Sequence, residues 1–569
     1  MQKRPWYQHY DQGVPHSLHY PTVPVFHYLE ESARRYPEKP CTIFKGSVVT
    51  FREMNQLSDR IAAGLAALEI HKGDRVGLFM PNMPQFVMAY FGILKAGAVV
   101  VAVNPLFTPP EIQHQVNDAG VEVLFGWNEL YERLKIAQPK TKIKTMIITA
   151  FGDTFPPFPR GVSMQGGNPQ KTPVRTLQTG DIWFQEFLAQ HQPEGRPSIE
   201  ISSEDIALFQ YTGGTTGIPK GAVALHRNIV SNILQTKAWL DNLNEGEEIV
   251  LMAIPVFHVY GMVFGMLFAI AAGDSMVLIP NGRDFKDLLE SIRKYRPTVL
   301  PGVPTLYNGI NNHPEVIAGH YDLSSIKACI SGSAALMQET KERFEALTGG
   351  RLREGYGLSE APTATHCNPI LGENRPGSIG LPFPDVDARI VSLEDGVTEM
   401  PVGEIGELVI QSPQVMLGYH AMPEETANAL NMLRDGSGPW LFTGDIARMD
   451  QDGFFYLVDR KKELIKSSGY QVWPREVEEA IASHPKVLEV AAAGIPDSFR
   501  GEVVKAWIVV RPGEHLEASE IQAWCKETLA PYKIPTQIEF RTELPKTAVG
   551  KVLRRELVRQ HRAGKDQHP

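Results

Sequence analysis

The sequence predicts an α/β protein with a large N-terminal domain of layered α/β subdomains and a small α+β C-terminal domain. At 569 residues the chain is longer than one typical hydrophobic core supports, which favours two or more domains. Strand-like and helical segments alternate early in the chain, a pattern typical of α/β layers with parallel strands. After the segment GFFYLVDRKK the elements become shorter. We therefore place the boundary between Asp459 and Arg460 and predict domains 1–459 and 460–569.

The first periodic segment of the N-terminal domain is 51–69, where apolar residues recur at steps of three and four, as on one face of a helix. These residues are Met54, Leu57, Ile61, Leu65 and Leu68. A strand, a helix and a strand are predicted to follow, over 75–80, 83–97 and 98–103. Residues 151–200 are rich in Pro and Gly and lack a period, so they are predicted to form an extended surface connection.

The C-terminal domain is predicted to contain a short helix over 474–484, two strands over 487–495 and 503–510, and a basic helical tail. From Arg460 onward the chain has 19 Lys and Arg against 15 Asp and Glu, a net charge of +4 that leaves −13 for the rest. A basic segment suits an enzyme that binds polyanions, but a solvated surface explains the charge equally well.

Composition indicates an ordinary globular enzyme rather than a disordered or collagen-like chain. The four cysteines match no CxxC or zinc-ligand spacing, and we expect them to be reduced, buried thiols: Cys41, Cys329, Cys367 and Cys525. The N-terminal segment lacks the apolar stretch and cleavage site of a secretion signal. We therefore expect a cytoplasmic protein.

One uncharged stretch, residues 250–273, is long enough to span a bilayer. Pro255, His258 and Gly261 divide it into a short strand, a turn and a helix of about a dozen residues, a length better suited to a buried core element. The sequence thus favours core over membrane. Peripheral attachment at the inner face of a membrane stays open, as does assembly into a homodimer.

A Thr/Gly-rich loop lies between two strand-like runs in residues 207–224, ALFQYTGGTTGIPKGAVA. Glycines let backbone N–H groups turn toward a phosphate, while Thr hydroxyls add donors and Lys220 adds positive charge. The loop lacks the GxxxxGK[ST] pattern of a Walker A site. By itself such a loop is as often a flexible hairpin turn.

Four further segments occur in order after this loop: RLREGYGLSE at 351–360, WLFTGDI at 440–446, YLVDRKKELIKSSGYQVWPR at 456–475 and PKTAVGKVLR at 545–554. Together the five motifs resemble the adenylate-forming family of acyl-CoA synthetases, peptide-synthetase adenylation domains and luciferases, over nearly the whole chain. Within that family, the WLFTGDIARMDQDGFFYLVDRKKELIKSSGYQV stretch and the N-terminal RPWYQHYDQGVPHSL are most similar to bacterial long-chain fatty acid–CoA ligases.

The resemblance implies a site for ATP and Mg²⁺. The loop would wrap the phosphates with Thr212, Gly213, Gly214, Thr215, Thr216, Gly217 and Lys220. Adenine would lie against Tyr356 and Gly357, with Gly332 and Ser333 lining the same pocket, and Ser359 would contact the α-phosphate or the carboxylate. Asp445 and Arg460 would bind the ribose. Glu360 would hold Mg²⁺, since a hard cation prefers carboxylate oxygen.

The resemblance also implies two half-reactions performed by a mobile C-terminal domain. Lys551 would bridge the carboxylate and α-phosphate during adenylation. Rotation about Lys462 would then bring up Lys466 and Gly469 for coenzyme A. His258 would gate the carboxylate pocket. Some fatty acyl relatives carry Trp where this chain has Met262, which leaves chain length open.

Each of these residues also has an ordinary structural interpretation. A lone His among apolar residues is more often a core histidine, an Asp after Gly is often a turn former, and an isolated Lys is usually a solubility residue. Rival functions are a ligase of the same chemistry for a medium-chain or aromatic acid, and a catalytically inactive nucleotide- or lipid-binding homologue. A Rossmann dehydrogenase is disfavoured because no GxGxxG follows a strand.

Overall fold

The computed structural model describes residues 4–153, 176–212, 219–467, 470–497, 501–547 and 550–565. The chain divides into two compact units. Unit 1 comprises Met1–Asp387 and Gln411–Asn431, and unit 2 comprises Ala388–Ile410 and Met432–Pro569. The boundary expected at Asp459 and Arg460 falls within unit 2, so the point at which a mobile domain begins stays a prediction.

Unit 1 contains an eight-stranded sheet that forms one of its layers. In spatial order its strands are Gly418–Tyr419, Lys220–Leu225, Ile206–Thr212, Val99–Ala102, Arg75–Phe79, Val123–Trp127, Thr145–Thr149 and Ile182–Trp183. The last six strands in this order run parallel to one another. At the other edge, Lys220–Leu225 pairs antiparallel with both of its neighbours, Gly418–Tyr419 and Ile206–Thr212. This arrangement confirms the expected α/β layers.

A second layer of unit 1 joins two four-stranded sheets through bridges that Val299 makes to both. One sheet consists of Ser47–Thr50, Pro40–Phe44, Ser275–Leu278 and Ile249–Met252. The other consists of Ala328–Ser331, Arg351–Leu358, Ala361–Cys367 and Leu381–Pro382. The second of these carries several of the predicted site residues.

Helices cover these sheets and follow the predicted periodicity. The predicted helix 51–69 is Phe51–Ala67, and it starts with a capping box in which Thr50 Oγ1 accepts from the Glu53 amide at 3.2 Å. The predicted core-facing residues Met54, Leu57, Ile61 and Leu65 are fully buried, whereas Leu68, which follows the helix, is partly exposed. The other α-helices of unit 1 are His27–Arg35, Pro84–Lys95, Pro109–Ala119, Tyr131–Ala137, Phe184–Gln190, His226–Trp239, Phe268–Ala272, Phe285–Tyr295, Pro304–Asn311, Pro314–Ile317, Gln338–Thr348 and Pro423–Ala429.

The expectation for 151–200 is wrong in part. Residues 154–175 lie outside the described residues, but Ile182–Trp183 adds a strand to the eight-stranded sheet and Phe184–Gln190 forms a helix. Phe184 and Phe187 are fully buried in that helix. The abundance of Pro and Gly over the whole stretch concealed this short amphipathic segment.

The uncharged stretch 250–273 is a core element, as predicted. It consists of the strand Ile249–Met252, a turn, and a π-helix over Tyr260–Leu267 that continues as Phe268–Ala272. Gly261 lies so close to the turn that a Cβ there would be 2.2 Å from the Pro255 carbonyl oxygen. Among the described residues, no helix combines the length and apolar character needed to cross a membrane.

Unit 2 contains two sheets. The first includes Asp387–Val391, Gly406–Gln411, Trp440–Met449 and Phe455–Arg460. The second consists of Tyr470–Val472, Ile465–Ser467, Gly501–Val510, Val487–Asp497 and Gln537–Arg541. Its α-helices are Pro474–Ala482, Ala518–Lys526 and Arg554–Lys565, so the predicted order of elements after residue 474 is confirmed. All four cysteines of the chain are buried free thiols, also as predicted.

Candidate active site

The predicted phosphate loop is carried by a β-hairpin of unit 1. Strands Ile206–Thr212 and Lys220–Leu225 pair antiparallel, with Thr212 opposite Lys220. The residues between them that were expected to wrap phosphate lie outside the described residues: Gly213, Gly214, Thr215, Thr216 and Gly217. The strand–loop–strand frame is confirmed, and the phosphate contacts remain a prediction.

Lys220 lies in a polar cluster with three residues from distant parts of the sequence. Its amino group forms an ion pair with Glu425 and lies 5.2 Å from the centre of the Tyr419 ring, within the range of a cation–π contact. The Tyr419 hydroxyl donates to Glu360 Oε1 at 2.8 Å. Burial and the neighbouring Glu360 carboxylate raise the pKa of Tyr419, so its hydroxyl remains a donor at physiological pH. The cluster therefore places a buried lysine near the predicted metal ligand.

Glu360 and Ser359 form the turn of a second hairpin, between strands Arg351–Leu358 and Ala361–Cys367. Gly357 is required there, because a Cβ would lie 1.8 Å from the Thr363 carbonyl oxygen. Tyr356 is partly exposed and makes an edge contact with the ring of the buried His366, with 5.9 Å between ring centres. This leaves part of the Tyr356 ring accessible for stacking on a flat base.

Gly332 and Ser333 lie at the same sheet edge as Tyr356. They follow the strand Ala328–Ser331, which pairs parallel with the Tyr356 strand so that Ser331 lies opposite Glu354. Open α/β sheets bind ligands outside the carboxyl ends of parallel strands. The structure thus places Gly332, Ser333 and Tyr356 at one sheet edge, and the adenine pocket itself remains a prediction.

His258 lies in the turn before the π-helix. Burial lowers the pKa of its imidazole to about 4, so the ring is neutral near pH 7. The Tyr260 amide donates to His258 Nδ1 at 3.3 Å. The turn itself is held by the buried Asn82, whose amide group donates to the carbonyls of Met252 and Ile254 at 2.9 and 2.8 Å. A neutral, positioned imidazole fits a residue that shapes a pocket rather than one that supplies charge.

A second cluster lies in unit 2 and contains Asp445, Arg460 and Lys551. Asp445 is buried and pairs across the sheet with Arg460, whose Nε lies 3.1 Å from Asp445 Oδ1. Burial and the positive charge of Arg460 lower the pKa of Lys551 to about 8, against the opposing influence of Asp445 and Glu463. The structure therefore brings the predicted ribose ligands near the predicted catalytic lysine.

Lys551 is carried by a loop that closes on itself. The Thr547 amide donates to the Lys551 carbonyl at 2.8 Å, and the Lys551 amide donates to Thr547 Oγ1 at 3.1 Å. The Leu553 amide donates to the Pro545 carbonyl at 2.8 Å. Residues 548 and 549 lie outside the described residues. These bonds fix the backbone on both sides of the lysine.

The residues predicted for hinge motion and thioester formation lie on the surface of unit 2. Lys462 is exposed in the short 3-10 helix Lys461–Glu463. Lys466 is exposed on the strand Ile465–Ser467, with its amide donating to Glu502 at 2.8 Å. Gly469 lies outside the described residues. The roles of these residues remain predictions.

Sequence reasoning missed Tyr419, Glu425, Asn82 and Arg554. Their partners lie far away in the chain, and Tyr419, Glu425 and Asn82 lie outside the five motifs. Arg554 was visible only as the end of the PKTAVGKVLR segment.

An α/β unit whose parallel strands end at a sheet edge suited to a ligand, together with an α+β unit that carries a partly buried lysine, is typical of nucleotide-binding enzymes. Comparison with protein families identifies which one. The model described as AMP-binding enzyme matches residues 29–420, and that described as AMP-binding enzyme C-terminal domain matches residues 476–551. The chain belongs to the AMP-binding enzyme family, which confirms the predicted resemblance.

Similar proteins of known name cover essentially the whole chain. A long-chain-fatty-acid–CoA ligase of Bacillus subtilis (strain 168) is 44% identical over 560 residues, 98% of each chain. A long-chain-fatty-acid–CoA ligase of Salmonella typhimurium is 39% identical over 562 residues, again 98% of each chain.

Solved structures of the same architecture include two ligand-bound enzymes. An anthranilate CoA ligase in complex with anthranoyl-AMP is 27% identical, with a TM-score of 0.81 over 95% of this chain and 98% of the other. ATP-bound MatB from Rhodopseudomonas palustris is 26% identical, with a TM-score of 0.80 over 95% of this chain and 99% of the other. The predicted fold class is therefore confirmed.

Proposed function

We propose that this chain is a long-chain fatty acid–CoA ligase that forms AMP. In the first half-reaction a fatty acid carboxylate oxygen attacks the α-phosphorus of ATP, and the bond to the β-phosphate bridging oxygen breaks to release pyrophosphate. In the second, the sulfur of coenzyme A attacks the acyl carbonyl, its thiol proton is released, and the acyl–oxygen bond breaks to release AMP. The relatives of that name, matched over 98% of the chain, support the choice of acid.

The observation that carries the proposal is the presence of two separate lysine clusters with matching acidic residues. Both reactants of adenylation are anions, so catalysis depends on positioning and on neutralising charge. Lys220 would bind the β- and γ-phosphates, and Lys551 would bridge the carboxylate and the α-phosphate. Asp445, paired with Arg460, would accept hydrogen bonds from the ribose hydroxyls. A protein that only binds nucleotide has no use for the second lysine.

The residues of unit 1 fit a magnesium ion bound together with ATP. Mg²⁺ is usually held by one or two carboxylates plus substrate phosphate oxygens. Glu360 offers a partly exposed carboxylate, held at one oxygen by the Tyr419 hydroxyl. When bound, the ion would neutralise charge on the phosphates. Tyr419 would orient Glu360, leaving the other carboxylate oxygen for the metal.

Domain alternation would let one acyl site serve both half-reactions. Rotation about Lys462 would withdraw Lys551 after adenylation and bring the segment around Lys466 and Gly469 to the thioester site. Gly469 would leave room for the pantetheine arm close to the backbone. Homodimer formation and peripheral contact with a membrane are further predictions that the oligomeric state and vesicle binding of the purified protein would test.

The test is pyrophosphate release by purified protein with ATP, Mg²⁺ and a panel of short, medium, long and aromatic acids, with and without coenzyme A. We expect long-chain acids to be preferred and acyl-CoA to form only when coenzyme A is present. A preference for aromatic acids would assign the activity of the anthranilate ligase neighbour instead. The absence of pyrophosphate release with every acid would refute the proposal.

Two variants separate the half-reactions. We expect Lys551→Ala to reduce adenylation by about a hundredfold or more, the scale of losing one transition-state charge donor, while retaining thioester formation from supplied acyl-adenylate. We expect Lys462→Pro to do the reverse, because a rigid φ prevents rotation. Equal losses in both half-reactions would contradict domain alternation.

A further inference from the structure

Arg554 binds three acidic residues of unit 2 at once. Its Nε and Nη2 donate to the two carboxylate oxygens of Glu478 at 2.8 and 2.5 Å. Its Nη1 forms an ion pair with Glu463 and lies 3.4 Å from Asp459 Oδ1. Arg554 is three residues after Lys551, at the start of the helix Arg554–Lys565. Its contacts therefore tie the end of the lysine loop to three other elements.

The three carboxylates lie on different sides of the predicted hinge at Lys462. Asp459 precedes it, in the strand Phe455–Arg460, whereas Glu463 and Glu478 follow it. If the segment after Lys462 rotates, Arg554 moves together with Glu463 and Glu478. Only its contact with Asp459 must break.

The contact with Asp459 is also the weakest of the three in its geometry. At 3.4 Å it is longer than a typical charge-assisted hydrogen bond. Burial raises the pKa of both Asp459 and Glu478 despite the nearby arginine, whereas at Glu463 the charges of Arg554 and Lys551 together outweigh burial and lower the pKa. Asp459 has a partner on its own side of the hinge, since Asp459 Oδ1 accepts from the Arg460 amide at 2.7 Å. Asp459 Oδ2 accepts from the Arg475 amide at 2.7 Å, and because Arg475 follows the hinge, this bond would break together with the contact to Arg554.

We propose that Arg554 and Asp459 form a releasable latch that holds the Lys551 loop in the arrangement used for adenylation, with Arg554 acting as a positioning residue. Glu463 and Glu478 hold the Arg554 guanidinium in place on its own side of the hinge. The latch rests on the proposed function, because only an enzyme with two half-reactions needs to release it. It predicts that weakening the contact shifts the protein away from adenylation without impairing thioester formation.

The test compares Asp459→Asn with Glu478→Gln. Both variants remove one carboxylate charge from the same arginine and keep a carbonyl acceptor, but only Asp459 lies across the hinge. We expect Asp459→Asn to lower adenylation by about three- to tenfold and to leave thioester formation from supplied acyl-adenylate equal or faster. We expect Glu478→Gln to change the two half-reactions to the same extent.

Equal losses in both half-reactions of Asp459→Asn would overturn the latch, as would the same split in Glu478→Gln. If the unmodified protein releases no pyrophosphate, the proposed function fails, and a second measurement still tests the latch. Hydrogen exchange at the Thr547 and Lys551 amides should be faster in Asp459→Asn than in Glu478→Gln. Equal exchange in the two variants would overturn the proposal independently of activity.

Discussion

We expect the lowered pKa of Lys551 to make the adenylation rate sensitive to pH in a range where lysines are usually fully charged. An ordinary lysine keeps its proton to about pH 10.4, but burial and Arg460 lower the pKa of Lys551 to about 8. Above that pH the amino group becomes neutral and can no longer stabilise negative charge in the transition state. At pH 9 roughly one molecule in ten would carry a charged Lys551, so adenylation with limiting ATP should fall about tenfold.

The assay is pyrophosphate release from pH 7 to 10 with ATP well below saturation, because that regime reports the free enzyme. With saturating ATP the decline should move to higher pH, since bound phosphate favours the charged lysine. Lys551→Arg supplies the decisive comparison, because a guanidinium stays charged throughout this range. Whatever its absolute rate, this variant should lose the decline near pH 8.

Lys526→Arg is the matched control, since Lys526 is an exposed lysine at the end of a helix of the same unit. It should keep the profile of the unmodified protein. A flat profile to pH 9.5, or the same decline in Lys551→Arg, would show that titration of Lys551 does not control adenylation.

Three further predictions concern unit 1. Tyr419→Phe removes the hydrogen bond to Glu360. It should raise the Mg²⁺ concentration needed for half-maximal pyrophosphate release by about two- to tenfold, the scale of one hydrogen bond. An unchanged Mg²⁺ titration would contradict this prediction. The imidazole of His258 should remain neutral at pH 6 and titrate near pH 4 in an NMR titration, and His258→Gln identifies its signal. Titration near pH 6.5 would show that burial does not control the pKa of His258. Gly261→Ala places a Cβ 2.2 Å from a carbonyl oxygen and should lower the free energy of unfolding by about 1–3 kcal/mol in urea. Gly152→Ala, which has nothing within 4 Å of the added Cβ, should change it by less than about 0.5 kcal/mol.

The sequence was sufficient for the features that depend on local pattern. The helix Phe51–Ala67 follows from apolar periodicity, and the buried segment around the π-helix follows from an uncharged run that Pro255, His258 and Gly261 divide. Periodicity encodes which face of an element is buried, so it predicts elements one at a time. Ordered motifs then identified the family, because several short chemical patterns in sequence are unlikely to coincide by chance.

The tertiary structure alone decided how these elements meet. Lys220 and Glu425 are 205 residues apart, and Tyr419 and Glu360 are 59 apart, yet each pair is in contact. The three acidic partners of Arg554 are likewise separated from it by 76 to 95 residues. Such contacts depend on strand pairing and packing between distant segments, which no local period records. The sequence by itself thus determined the strongly patterned elements, the family and the candidate residues. Only the packed chain determined the short elements within 176–190 and which side chains contact the candidate metal ligand and the candidate catalytic lysine.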